Sequence, residues 1–105
     1  MYLNKYRVLR LVNRYNEGKC DEYFFFMECE KIFTVVLKET MEYFDNCSPY
    51  EFQTICPVFG DISEFWDSKE LIECMERNAK RTGVDCKEIL DYARYWLRDD
   101  DLLED

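Results

Sequence analysis

The chain has 105 residues with 14 Lys or Arg, 23 Asp or Glu and no His, so its net charge is −9. This length predicts a single domain, since domains commonly contain about 100–150 residues, and a hydrophobic content of 48% is enough for a core. The acidic balance argues against direct binding of nucleic acid, which requires clustered Lys and Arg. The absence of His removes the commonest general base and the commonest metal ligand.

The N-terminal residues contain no long apolar stretch followed by a small-residue cleavage site, which favours a cytoplasmic protein. No run approaches the roughly 20 apolar residues that cross a membrane, so we expect no membrane partner. The six cysteines are expected to be reduced thiols, and because none forms a CxxC pair we predict no metal or other cofactor. Cys47 and Cys56 flank a connecting segment and are the pair that most merits a test for a disulfide.

The first predicted element is a helix over residues 3–16, ended by Gly18 in a left-handed conformation. Its apolar face contains Val8, Leu11, Val12 and Tyr15, and its polar face carries a stripe of Arg7, Arg10 and Arg14. The alternative is a β-hairpin that turns at residues 16–18, which would make the fold α+β.

Residues 21–45 predict one long amphipathic helix, because their apolar residues share a broad arc at 100° per residue. The arc consists of Phe25, Phe26, Cys29, Ile32, Phe33, Val36, Leu37, Thr40, Tyr43 and Phe44. The opposite side carries mainly Glu, Lys and Asp. We expect the aromatic arc to form the centre of the core.

Residues 46–66 are the least regular part of the sequence. Ser48 and Glu51 have capping-box spacing and predict a short helix, which Pro57 ends. Gly60 and the following Asp61 are then expected to turn the chain.

Two further helices are predicted near the C-terminus. The first covers residues 68–82, starting at an Asp67–Glu70 capping box and ending at Gly83. The second starts at Asp85 and ends near Arg98, and so short a connection favours a helical hairpin. The predicted fold is therefore an all-α bundle of four principal helices and one short helix over residues 1–98, followed by an acidic tail over residues 99–105.

Catalytic signatures are absent from the sequence. There is no glycine-rich phosphate loop, no GxSxG, HExxH or EF-hand spacing, and no His to activate a thiol. Nothing selects a catalytic pair from the 23 carboxylates, and those on the predicted helices lie on polar faces, where solvation explains them without catalysis. We therefore expect a protein that is not an enzyme.

The charge is unevenly distributed. Residues 1–20 contain five Lys or Arg against one Glu and carry +4, so the other eighty-five residues carry −13. A negative face of this kind suits a basic protein partner, with fast electrostatically steered association. The expected function is a small inhibitor or regulator that occupies a basic nucleic-acid-binding groove as a nucleic-acid mimic. Phage-encoded inhibitors of CRISPR nucleases share this general character, although no motif supports the analogy.

The predicted binding residues lie on the long helix, before the next helix and in the tail. Phe24 and Val35 are 11 residues apart, about three turns, and would form an apolar pair among acids on the polar side. The full predicted set is Phe24, Glu28, Val35, Glu39, Glu42, Trp66, Asp99, Asp100 and Asp101. The alternative is that residues 46–66 cover the apolar pair, and that Trp66 caps the core.

Two other functional classes fit the sequence less well. One is a structural or regulatory helical module that binds a helix or self-associates through an apolar surface. The other is a thiol-based enzyme or redox sensor, which would require a reactive cysteine.

Overall fold

The computed structural model of the chain describes residues 2–97, which contain helices and no β-strand. The helices are α1 (Lys5–Asn16), α2 (Glu22–Phe33), α3 (Leu37–Asn46), α4 (Pro49–Ile55), α5 (Phe59–Trp66), α6 (Lys69–Thr82) and α7 (Lys87–Tyr95), with a 3₁₀ turn (Cys56–Val58) between α4 and α5. The all-α prediction is confirmed, and the N-terminal β-hairpin is wrong. Over the described residues, seven helices replace the predicted four principal helices and one short helix.

The predicted long helix over residues 21–45 is wrong, because residues 34–36 separate α2 from α3. In a continuous helix the carbonyl of Phe33 would accept from a backbone N–H four residues later. Here it accepts instead from Thr40 Oγ1 (3.0 Å) and Trp66 Nε1 (2.8 Å). These donors satisfy the carbonyl without a further turn, and the three consecutive β-branched residues at 34–36 favour extended backbone.

Local signals place the ends of α1 and α4 correctly. Gly18 has φ +75°, as predicted for the stop after α1. Ser48 and Glu51 form both hydrogen bonds of the capping box at the start of α4. The expected turn at Gly60 is wrong, because this residue lies in α5. A Cβ there would lie 3.7 Å from Ile89 Cγ1, so the missing side chain brings α5 close to α7.

The C-terminal helices begin later than predicted. Ser68, and not Asp67, caps α6 by accepting from the backbone N–H of Leu71 (3.1 Å), while Asp67 adopts a left-handed conformation at the end of α5. Gly83 ends α6 in the predicted left-handed conformation with φ +77°. The last helix starts at Lys87, so the predicted start at Asp85 is two residues early, and its end at Tyr95 precedes the predicted one.

Within residues 2–97, the core is built around five fully buried phenylalanines, of which the apolar arc predicts the three on α2 and α3. They are Phe25, Phe33, Phe44, Phe52 and Phe59. The Phe44 ring centroid lies 5.1 Å from that of Phe33 and 5.2 Å from that of Phe59, in tilted and edge-to-face geometries that aromatic pairs favour. Burial of each such side chain stabilises the fold by about 1.5–3 kcal/mol. A smaller cluster of Ile72, Ala93 and Leu97 holds the end of α7 to α6.

Candidate partner-binding surface

Two of the predicted binding carboxylates make intramolecular contacts. Glu28 accepts from Arg7 Nη2 (2.9 Å) and Lys31 Nζ (3.2 Å), and these bonds to Lys31 and Arg7 lower the pKa of its carboxyl below the usual value. Glu39 Oε1 accepts from the backbone N–H groups of Tyr2 and Leu3, each at 2.8 Å. Both side chains therefore hold the N-terminal segment in place.

The helix break separates the predicted apolar pair. Phe24 lies on α2 and Val35 lies in the connection to α3, so the spacing of three helical turns does not apply to them. Both side chains are exposed, and nothing in residues 46–66 buries them as the alternative required. Glu42 on α3 is also exposed, beside a groove lined by Leu3 and Lys5. The structure thus leaves these three residues accessible.

Trp66 follows the capping alternative. Its indole is partly buried, and Nε1 donates to the Phe33 carbonyl at the end of α2. Asp99, Asp100 and Asp101 lie outside the described residues. Within residues 2–97, the predicted set is therefore divided between exposed side chains and side chains that make contacts within the fold.

A different group of acids faces solvent where α2 meets α5. Glu30 lies near the end of α2, and Asp61 and Glu64 lie three residues apart on one face of α5. Partial burial, together with the negative charges of Asp61 and Glu64, raises the pKa of Glu30 above its usual value. Across residues 2–97, no Lys or Arg forms an ion pair with any of the three. Their mutual repulsion is therefore not relieved by a cation of the described chain.

Exposed aromatic rings continue this acidic surface. Phe65 on α5 is 61% exposed, and Tyr92 and Trp96 at the end of α7 are 58% and 52% exposed. The Tyr92 and Trp96 ring centroids lie 6.1 Å apart, and Tyr95 packs edge-to-face on Trp96 at 5.2 Å. We call Glu30, Asp61, Glu64, Phe65, Tyr92 and Trp96 the acidic–aromatic face.

A cavity of about 340 Å³ opens within this face. Its walls are Glu64 and Asp67 from the end of α5 and Tyr92 and Trp96 from α7. Carboxylates attract a cation by charge, and the faces of Tyr and Trp rings attract it through their quadrupoles, by about 0.5–1 kcal/mol at exposed sites. The cavity therefore suits a Lys ammonium or an Arg guanidinium. Among residues 2–97, no group of three or more Cys, Asp or Glu side chains has an arrangement that could hold a metal ion.

The sequence contains part of the signal for this face. Asp61, Glu64 and Phe65 have the spacing of one helix face, which is recognisable only if residues 59–66 are helical. The glycine at position 60 instead suggests a turn. The proximity of Glu30, Tyr92 and Trp96 to α5 depends on tertiary packing, for which no local pattern exists.

None of the helices in residues 2–97 combines the length and apolar character needed to cross a membrane. No protein-family model, curated protein or solved structure matches the chain.

Proposed function

We propose that this protein is a small, non-enzymatic binding protein that inhibits or regulates a basic protein partner through the acidic–aromatic face. The observation that carries the proposal is the cavity between Glu64 and the rings of Tyr92 and Trp96, which lies beside Glu30 and Asp61. A partner that normally holds nucleic acid presents Arg and Lys in a groove, and this face offers them carboxylates in place of phosphates.

The two components of the face have different roles in this proposal. The carboxylates steer the partner during the encounter, so they chiefly affect the association rate and its salt dependence. The rings of Phe65, Tyr92 and Trp96 provide the apolar contact area in which binding energy concentrates. The sequence-based analogy with phage-encoded inhibitors of CRISPR nucleases fits this division, and it is part of the proposal.

The test is fluorescence anisotropy with a labelled oligo-arginine peptide as the basic probe. We expect Glu30→Gln/Glu64→Gln to weaken binding roughly tenfold at physiological salt, because two surface ion pairs are each worth up to about 1 kcal/mol. Trp96→Ala should also weaken binding, with little change in the salt dependence. A labelled single-stranded DNA bound to the same peptide should be displaced by the wild-type protein.

The matched control is Glu22→Gln/Glu70→Gln, which removes the same charge from exposed positions at the starts of α2 and α6. The control should leave affinity within about threefold of wild type, since only the long-range field changes. Equal weakening by both double variants would reduce the effect to net charge and contradict the acidic–aromatic face as the site.

Self-association is the second candidate function, and it is favoured by the exposed rings at the end of α7. Tyr92, Tyr95 and Trp96 are each more than half exposed. A dimer through these rings would persist at high salt, unlike a complex held by charge. Sedimentation equilibrium over a range of concentrations distinguishes the two, because Trp96→Ala should then abolish a salt-resistant dimer.

A further inference from the structure

Two thiols from distant parts of the chain meet beside the 3₁₀ turn. Cys56 begins that turn, and Cys86 is the residue before α7, 30 positions later. Their Sγ atoms lie 3.0 Å apart. A disulfide bond is about 2.05 Å long, so an approach of roughly 1 Å would suffice to form one. Cys47, the partner that the sequence suggested for Cys56, instead donates to the carbonyl of Phe44 (3.6 Å).

The two thiols differ in their environments. Cys56 is partly exposed, whereas Cys86 is buried. The hydrogen bond with Cys86 lowers the pKa of the Cys56 thiol, and the same bond together with burial raises the pKa of Cys86. A thiolate therefore forms first at the more accessible sulfur, with the second thiol in contact with it.

The other buried thiols provide a contrast. Burial raises the pKa of Cys29 and of Cys74 to about 12, and that of Cys47 to about 11. Thiols of this kind rarely ionise near neutral pH and are inert. Cys20 is partly exposed and lacks a hydrogen-bonded thiol within the described residues.

We infer that Cys56 and Cys86 are an oxidisable dithiol, which a hydroperoxide converts to a disulfide between the 3₁₀ turn and the start of α7. The contact between the two sulfur atoms and their unequal exposure support this reaction, and neither depends on the acidic–aromatic face.

The reaction balances with one equivalent of hydrogen peroxide. The Cys56 thiol loses its proton, and the thiolate attacks one peroxide oxygen as the O–O bond breaks. The products are a sulfenic acid at Cys56 and hydroxide, which takes up the released proton to form water. The Cys86 sulfur then attacks the Cys56 sulfur, the S–O bond breaks, and its thiol proton leaves with the hydroxyl group as water. The two sulfur atoms together lose two electrons, and the peroxide is reduced to two molecules of water.

The disulfide would close a loop that contains α5 and α6. Closing such a loop constrains the unfolded chain and stabilises the fold, provided that the native geometry is not strained. We expect the melting temperature to rise by about 10 °C on oxidation and to return to its initial value after dithiothreitol.

The test oxidises the reduced 105-residue chain with one equivalent of hydrogen peroxide, blocks remaining thiols with N-ethylmaleimide and measures the intact mass. We expect four alkylated cysteines and one disulfide. Protease cleavage after Glu separates Cys47 from Cys56 at Glu51, so the peptide over residues 52–64 should be linked to the peptide over residues 77–88.

Variants complete the test. Cys56→Ser should abolish the link and the melting shift, while Cys20→Ser, which changes another partly exposed thiol, should retain both. A link through any other pair of cysteines would overturn the inference. So would a sulfenic acid at Cys56 that persists while the Cys86 thiol stays free. If Cys56→Ser fails to fold, the peptide map of the oxidised wild-type protein still shows which two cysteines are linked.

Discussion

Asp45 and Glu30 lie on consecutive helices, and their carboxylates have opposite electrostatic environments. Asp45, near the end of α3, accepts from Arg77 Nε (2.9 Å) and Nη2 (2.7 Å) and from Asn78 Nδ2 (2.6 Å). The hydrogen bond from Arg77 is the main reason that the pKa of Asp45 is lowered. Glu30 has other acids as neighbours, and its pKa is raised by burial and by their charges.

This contrast separates a structural acid from a candidate binding acid. The charge of Asp45 is used within the fold, where it joins α3 to α6. The charge of Glu30 opposes folding, because burial and the nearby charges of Asp61 and Glu64 disfavour it. The charges of Glu30 and Glu64 are available to a cation from outside the described chain. Net charge alone treats these groups alike, although only the second kind supports the proposed function.

Asp45→Ala is expected to have the largest effect on the free energy of unfolding. This change removes the three hydrogen bonds from Arg77 and Asn78 and a fourth from the Cys74 thiol (3.7 Å), and it leaves the buried amide of Asn78 with fewer partners. We therefore expect a loss of about 2 kcal/mol in the free energy of unfolding. Urea denaturation measures it. Glu76→Ala, which removes the exposed ion pair with Arg94 (2.7 Å), should cost less than about 1 kcal/mol. Equal losses would contradict the special role of Asp45.

The pH dependence of stability should show both environments with opposite signs. Because the pKa of Asp45 is lowered, its contribution is complete above the ordinary value of 3.8 and is lost as pH falls through its folded-state pKa. Because the pKa of Glu30 is raised, stability increases as pH falls through that pKa towards 4.5. Urea denaturation at a series of pH values from 7 to 2 should therefore show the free energy of unfolding first increase and then decrease.

Two variants show which carboxylate causes the increase in stability and which causes the decrease. Glu30→Gln should remove the gain above pH 4.5, and Asp45→Asn should reduce the loss below pH 3.8. If each variant changed both the increase and the decrease, the two carboxylates would not titrate as separate sites.

Glu30→Gln/Glu64→Gln is expected to have the smallest effect on the free energy of unfolding. Removing two repelling charges should stabilise the fold by about 0.5 kcal/mol at low salt, with less effect at high salt. Thermal melts over a range of NaCl concentrations measure this difference. The same variant should bind the oligo-arginine probe more weakly, so stability and binding should change in opposite directions. A loss of both would indicate that these acids support the fold.

The features predictable from the sequence are those whose causes lie within a few residues. Ser48 and Glu51 cap one turn reciprocally, and Gly18 and Gly83 each end a helix in the left-handed conformation. The apolar arc also predicts the complete burial of three phenylalanines on α2 and α3. In each case the residues that determine the structure are adjacent on the helix or in the turn.

The features that sequence reasoning missed depend on distant partners. The break after α2 depends on Trp66, which is 33 residues from the carbonyl that it binds. The meeting of Cys56 and Cys86, and that of Glu30 with α5, likewise require the helices to be packed. Periodicity describes one helix at a time, so it assigned Glu28 and Glu39 to a binding face although both are occupied by contacts from α1 and the N-terminal segment.

The shared carbonyl of Phe33 also has a consequence for local unfolding. This carbonyl accepts from Thr40 at the start of α3 and from Trp66 at the end of α5. If either helix detaches, the carbonyl at the end of α2 loses a hydrogen bond. Amide protons of these three helices should therefore exchange with solvent in one cooperative opening. The end of α7 is held by the small cluster with Ile72 and should open at lower free energy, leaving most of the aromatic core protected.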